Sequence, residues 1–132
     1  MIRVFPSRNH AGRGELDEIK RVLGRLKSSP VPTRFAVGAG ICLANADLLR
    51  RFGGLQTFRQ LPSGDQAEFF SQLSDLELSS RNREAGLALG VGLYRIWLAE
   101  LLAGRRAAAE LLGEELTELS RKASCLRPGD GR

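Results

Sequence analysis

Histidine occurs once in the 132 residues, at His10, and cysteine twice, at Cys42 and Cys125. So few soft or imidazole ligands exclude most metal sites, and two distant cysteines exclude a disulfide framework. Neither cysteine has a CxxC partner, so both read as free thiols of a reducing compartment, and the expected location is the cytoplasm. Aromatic residues are scarce: one Tyr, one Trp and six Phe. Mostly set at apolar positions, they make a poor stacking platform for single-stranded nucleic acid. Five Pro and no period-2 run of useful length argue against a sheet protein.

Other absences bear on function. The start, Met1-Ile2-Arg3-Val4-Phe5-Pro6, meets Pro6, Arg8, His10 and Arg13 before an apolar stretch of the needed length forms, so no signal peptide is expected. The longest apolar run, Ala85 to Tyr94, is broken by Arg95 and then Glu100. It falls short of the ~18–20 residues of a span, and no membrane span is expected. No HExxH, Walker, GxSxG or strand-linked GxGxxG pattern occurs. His10 lies between Arg8 and Arg13 with no partner to orient it as a base, and a solvated loop histidine accounts for it. Asp65/Glu68 and Asp75/Glu77 read better as a solvated acidic face than as paired catalytic carboxylates. The expectation is a non-enzyme, with no catalytic residue, metal or cofactor.

What is present suits one soluble domain. Hydrophobic residues make up 42% and charged residues 27%, enough for a core beneath an ordinary surface. Twenty Lys+Arg against 15 Asp+Glu leave a net charge of +5. Seventeen of the twenty are Arg. Arginine is the better phosphate fork, but a GC-rich genome produces the same bias. Residues 1–62 hold 11 basic and 4 acidic side chains, residues 63–80 none and 4, and residues 81–132 nine and 7. The basic first half can face phosphates or an acidic partner, whereas the acidic middle repels nucleic acid.

Periodicity predicts an all-α fold, a compact bundle of five or six helices. Residues 1–13 read as an irregular basic leader, with a short strand or edge segment at Ile2–Phe5, and 125–132 as a flexible tail around a single helical domain, 14–124. Leu16, Ile19, Val22, Leu23 and Leu26 predict an amphipathic helix from Gly14 to Lys27, with Asp17 and Arg21 paired on its other face. Ser28-Ser29-Pro30-Val31-Pro32 ends it. A helix follows from Phe35 to Phe52, with Gly53-Gly54 as its stop, then a short one over Leu55–Gln60. Ser63 and Gln66 fit a capping box for a helix through Leu73, with Phe69, Phe70 and Leu73 inward. Ser79-Ser80 is expected to cap the longest helix, running to about Ala103. Leu87, Val91, Tyr94, Leu98 and Leu101–Leu102 form its stripe. After a turn at Gly104-Arg105-Arg106, a last helix over Ala107–Lys122 aligns Ala108, Leu111, Leu112, Leu116 and Leu119.

Two ladders of small residues mark candidate packing or interface faces. Ala36, Gly40 and Ala44 recur every four residues, as do Gly86 and Gly90, with Ala88 and Gly92 offset by two. Small side chains at this spacing make a flat stripe on which another helix backbone can lie. The two helices can pack on each other inside the monomer, or a ladder can form a dimer or partner interface. In the second case Gly90→Leu abolishes self-association without loss of helicity. Arginines at expected helix ends form the second candidate set: Arg50, Arg51, Arg59, Arg81, Arg83, Arg105 and Arg106. They can contact phosphates, or serve as solvated helix caps.

Two partial resemblances were found. Leu48-Leu49-Arg50-Arg51-Phe52-Gly53-Gly54-Leu55 resembles the helix end before the hairpins of helix-hairpin-helix DNA-binding proteins, and Gly90-Val91-Gly92 looks like the hairpin, with Ile96 where that family has a small residue. Phe35-Ala36-Val37-Gly38 and Ala88-Leu89-Gly90-Val91-Gly92-Leu93-Tyr94-Arg95 are similar to two apolar segments of the thylakoid-formation family, which is longer and separates them more widely. Neither likeness assigns a family. The expectation is a non-catalytic interaction or adaptor protein, self-associating or part of a larger complex through its small-residue faces, with a protein partner or a second copy. The alternative is a basic, nucleic-acid-associated helical protein that contacts phosphates through its arginine pairs.

Overall fold

The computed structural model describes residues 12–126, and all 12 to 126 that are regular are helical: α1 (Gly12–Lys27), α2 (Val31–Phe52), α3 (Leu55–Arg59), α4 (Ser63–Arg81), α5 (Ala85–Leu102) and α6 (Arg106–Leu126). The expected all-α bundle is what the chain forms. Most of the expected leader and tail lies outside the described residues, although α1 already begins at Gly12 and α6 continues to Leu126.

α1 forms as its apolar spacing predicts, burying Ile19, Leu23 and Leu26 and leaving Lys20, Arg21 and Arg25 exposed. Arg21 pairs with Glu18 and not with Asp17, three residues back instead of four. The Ser28 and Ser29 hydroxyls donate to the Gly24 and Arg25 carbonyls, closing the last turn. α2 then begins at Val31, four residues earlier than expected. Pro30 is its N-cap and Pro32 sits in its first turn, where a missing N–H costs nothing. Gly53 ends it in the left-handed region, φ 84°, returning its N–H to the Leu49 carbonyl at 2.8 Å.

Two expectations fail at α4. Pro62, not Ser63, is the N-cap, and Gln66 donates to the carbonyls of Phe58 and Arg59 at 3.1 and 3.3 Å. Gln66 therefore satisfies the open end of the five-residue α3 rather than a capping box. Nor do Ser79-Ser80 open the longest helix. α4 runs through both to Arg81, because Phe69, Leu73, Leu76 and Ser80 keep one face against the bundle, and Ser80 is 1% exposed. α5 starts only at Ala85, after the Arg83 and Glu84 N–H groups have bonded the Ser80 carbonyl.

α2 and α5 form the centre and run parallel: Gly86 lies against Ala36 and Thr33, and Tyr94 bonds Asn45. α6 runs antiparallel to α2, with Gly38 against Leu119 and Ala123. α4 runs antiparallel to α5, bringing Glu77 onto Gly92 and Arg95. The core gathers Val37, Ile41, Leu48, Leu73, Val91, Leu98, Leu112 and their neighbours into one cluster. Phe52, Phe58 and Phe69 close one end, each pair of ring centroids 5.2 Å apart. Burying each such ring stabilises the fold by roughly 1.5–3 kcal/mol. α5, 18 residues long, is long and apolar enough to cross a membrane by length and composition. It is also the central helix here, with half of that stretch buried against α2, α4 and α6.

Candidate functional site

The small-residue ladders face each other within the chain. A Cβ on Gly90 would run into the Val37 carbonyl oxygen and lie 2.9 Å from the Ile41 amide nitrogen and from the Val37 carbonyl carbon. One on Gly40 would lie 3.0 Å from the Leu87 carbonyl carbon and 3.1 Å from Gly90 Cα, and one on Gly86 2.8 Å from Ala36 Cβ. Ala44 and Ala88 are buried as well. Gly92 faces α4, leaving room for the Glu77 carboxylate that pairs with Arg95 at 2.7 Å. These seven residues are thus the packing surface of the bundle's own centre. Of the two readings of the ladders, packing on each other inside the monomer is the one seen here, and with the two backbones in contact these stripes offer no face to a second chain. The hairpin likeness fails for the same reason, since Gly90-Val91-Gly92 lies inside α5.

The arginine set divides between the two ends of the bundle. Arg50 and Arg51, in the last turn of α2, both bond Asp47. At the same end, Arg59, Arg105 and Arg106 line a cavity of about 400 Å³ with Glu100 and Glu110. Arg105 Nε meets Glu100 Oε1 at 2.6 Å, which matches a cation to a carboxylate only 3% exposed. Arg81 and Arg83 sit at the other end, Arg81 4.0 Å from Glu77. Asp65, Glu68 and Asp75 are exposed, and His10 lies outside the described residues. Among the described residues no three His, Cys, Asp or Glu side chains group closely enough to hold a metal.

A second cavity, about 450 Å³, lies where α2, α5 and α6 meet and is lined by Cys42, Asn45, Tyr94, Trp97 and Ser120 among others. Its polar groups satisfy one another: Tyr94 donates to Asn45 Oδ1 at 2.9 Å, and the Cys42 thiol approaches the Ser120 carbonyl at 3.8 Å. Burial raises the Tyr94 hydroxyl well above its ordinary pKa. Such a phenol is a neutral structural donor, not an acid–base group near neutral pH.

A groove of about 720 Å³ lies at the end where α1 stops, α2 starts and α6 finishes. Its floor is apolar, built from Leu26, Val31, Phe35 and Leu119. Val31 remains 61% exposed, the most of any large apolar residue among those described. Charges ring it. Lys27 Nζ pairs with Glu115 at 3.3 Å, and Arg121 and Lys122 share Glu118 at 3.0 and 3.7 Å. Arg34 differs: its side chain makes no ion pair among the described residues, and its buried Nε has no hydrogen-bond partner.

The chain matches no protein-family model, no curated protein and no solved structure. Whatever the groove does must therefore be argued from its own chemistry. Sequence reasoning missed it because Val31 and Arg34 fell in an expected linker. The available signal was Val31 and Phe35 at i and i+4, visible once Pro30 and Pro32 are read as opening a helix rather than only closing one.

Proposed function

We propose that this chain is a non-catalytic helical interaction protein that holds a short amphipathic segment of a protein partner in the α1–α2–α6 groove. The observation that carries this is the groove itself: an apolar floor of about 720 Å³ with Val31 61% exposed, ringed by charge. Exposed apolar surface set in a polar rim is the usual mark of a docking site. A concave apolar slot with a charged rim suits an amphipathic helix or strand of a partner. A second copy fits less well. Among the described residues the other exposed large apolar side chains, Leu43, Leu49, Leu78 and Leu89, are spread over α2, α4 and α5 and make no convex apolar ridge that could fill the groove.

The test is selection of random twelve-residue peptides on the full chain, followed by affinity measurements on the protein and on Val31→Lys. Groove binders are expected to weaken at least about tenfold on Val31→Lys, with the circular dichroism spectrum unchanged. Binders indifferent to that change, or no binders, would overturn the proposal.

One observation favours a second reading, phosphate binding: five of the seven candidate arginines come to one end, three of them around a single cavity. Salt separates the two. Phosphate contacts weaken steeply with ionic strength, while apolar docking does not. With one Trp and one Tyr, the protein would also show carried nucleic acid at once in its 260 to 280 nm absorbance ratio. Size-exclusion chromatography with light scattering at low and high salt reads both, and a salt-stripped 260 nm signal would favour the arginines.

A further inference from the structure

We infer that the segment docked in the groove carries a carboxylate side chain beside its apolar anchor, and that Arg34 is the residue that reads it; this rests on the docking role proposed above. Three features of Arg34 point this way. The groove's other cations are all paired, Lys27 with Glu115 and Arg121 and Lys122 both with Glu118, whereas Arg34 has no carboxylate among the described residues. Its Nε is buried with no hydrogen-bond partner among the described residues. A buried polar group left unpaired is costly, and natural structures keep few of them without a reason. Finally, Arg34 lies in the opening turns of α2, the end of a helix where a cation is disfavoured by the backbone dipole. Helix stability therefore does not account for an arginine here.

A carboxylate answers all three. A guanidinium presents its N–H groups as a planar fork that a carboxylate can take with two parallel hydrogen bonds. It neutralises the charge at the head of α2 and, once the guanidinium turns to meet it, satisfies Nε, which is closed off in the unbound chain. The apolar floor of Leu26, Val31, Phe35 and Leu119 lies alongside and excludes water from the pair. The ligand so described is a peptide with an apolar side chain on the floor and an aspartate or glutamate one turn away. The other unpartnered nitrogen of this kind, Arg95 Nε, lies elsewhere and belongs to a guanidinium already paired with Glu77.

The peptide selection described above, repeated on Arg34→Gln and Arg34→Glu, provides the test. Peptides selected on the unaltered chain are expected to carry Asp or Glu three or four positions from an apolar residue, and to bind equally well with an amidated terminus. Replacing that acid with its amide should weaken binding about tenfold. The same amide change should cost nothing further on Arg34→Gln, as a double-mutant cycle requires of a direct pair. Arg34→Glu should select Lys or Arg at that position. Since the acid is altered on the peptide, the central comparison needs no protein variant to fold. Binders lost on Val31→Lys but lacking an acid, or unaffected by Arg34→Gln, would overturn the role of Arg34 and leave the docking site standing. Binders that need a free terminal carboxylate would overturn the side-chain assignment. Binders indifferent to Val31→Lys, or none at all, would overturn both.

Discussion

One methyl group at Gly90 tests the account of the bundle's centre. An alanine Cβ there would lie 2.9 Å from the Ile41 nitrogen and the Val37 carbonyl carbon. The Val37 carbonyl oxygen lies nearer still, and with such contacts at their best only beyond ~3 Å, α2 and α5 must part by about 1 Å or more. The atoms in the way are backbone, with no rotamer to escape into. The cost should therefore sit at the top of the ~1–3 kcal/mol seen for overpacked cores. Replacing glycine with alanine inside a helix returns about 1 kcal/mol, leaving Gly90→Ala net destabilising by ~2 kcal/mol. At about 4 °C per kcal/mol for a chain of this size, Tm should fall by ~8 °C. Gly24→Ala is the control. It lies in α1 with nothing within 4 Å of a new Cβ, so only the propensity gain remains and Tm should rise by ~2–4 °C. Thermal and urea unfolding followed at 222 nm measure both. A Gly90→Ala protein as stable as the parent, or both variants shifting in one direction, would show that α2 and α5 are not in backbone contact.

The remaining predictions concern the buried polar groups. Removing Arg105 strands the Glu100 carboxylate, only 3% exposed, so Arg105→Ala should cost about 3 kcal/mol in urea unfolding. Glu100→Gln should cost distinctly less, because Arg105 is 36% exposed and can still reach water; equal losses would refute the asymmetry. Tyr94 is kept protonated by burial, above its ordinary value of 10.0. The unfolded chain therefore loses that proton first as pH rises, so the stability Tyr94 supports is complete below about pH 10 and declines above it. As the chain holds one Tyr, phenolate absorbance at 295 nm should appear only as the helical signal is lost. Phenolate formed near pH 10 in a fully helical protein would count against the burial.

Much of the fold was legible in the chain because it rests on local rules. The three- and four-residue spacing in α1 and α6, the glycine stop after Phe52 and the turn at Gly104 each depend on a few neighbouring residues. The errors fell where a signal has two meanings. Pro30 and Pro32 can end a helix or open one, and here they open α2. Ser79 and Ser80 can cap a helix, but the packed face running from Phe69 to Ser80 carries α4 past them. Gln66 matched a capping box, yet the open carbonyls at the end of α3 claimed its amide.

The candidate sites divide along the same line. By itself the sequence determined that the chain is helical, and that two of its helices carry stripes of small residues, because helix formation and a four-residue repeat are properties of short segments. Only tertiary structure decided that these stripes meet each other, since which backbone approaches Gly40 and Gly90 depends on packing between residues some fifty positions apart. It likewise decided that Leu26, Val31, Phe35 and Leu119, from three different helices, form one apolar floor. And it decided that Arg34 alone among that groove's cations has no carboxylate among the described residues: whether a charge is partnered depends on what the fold brings beside it, and no local pattern records that.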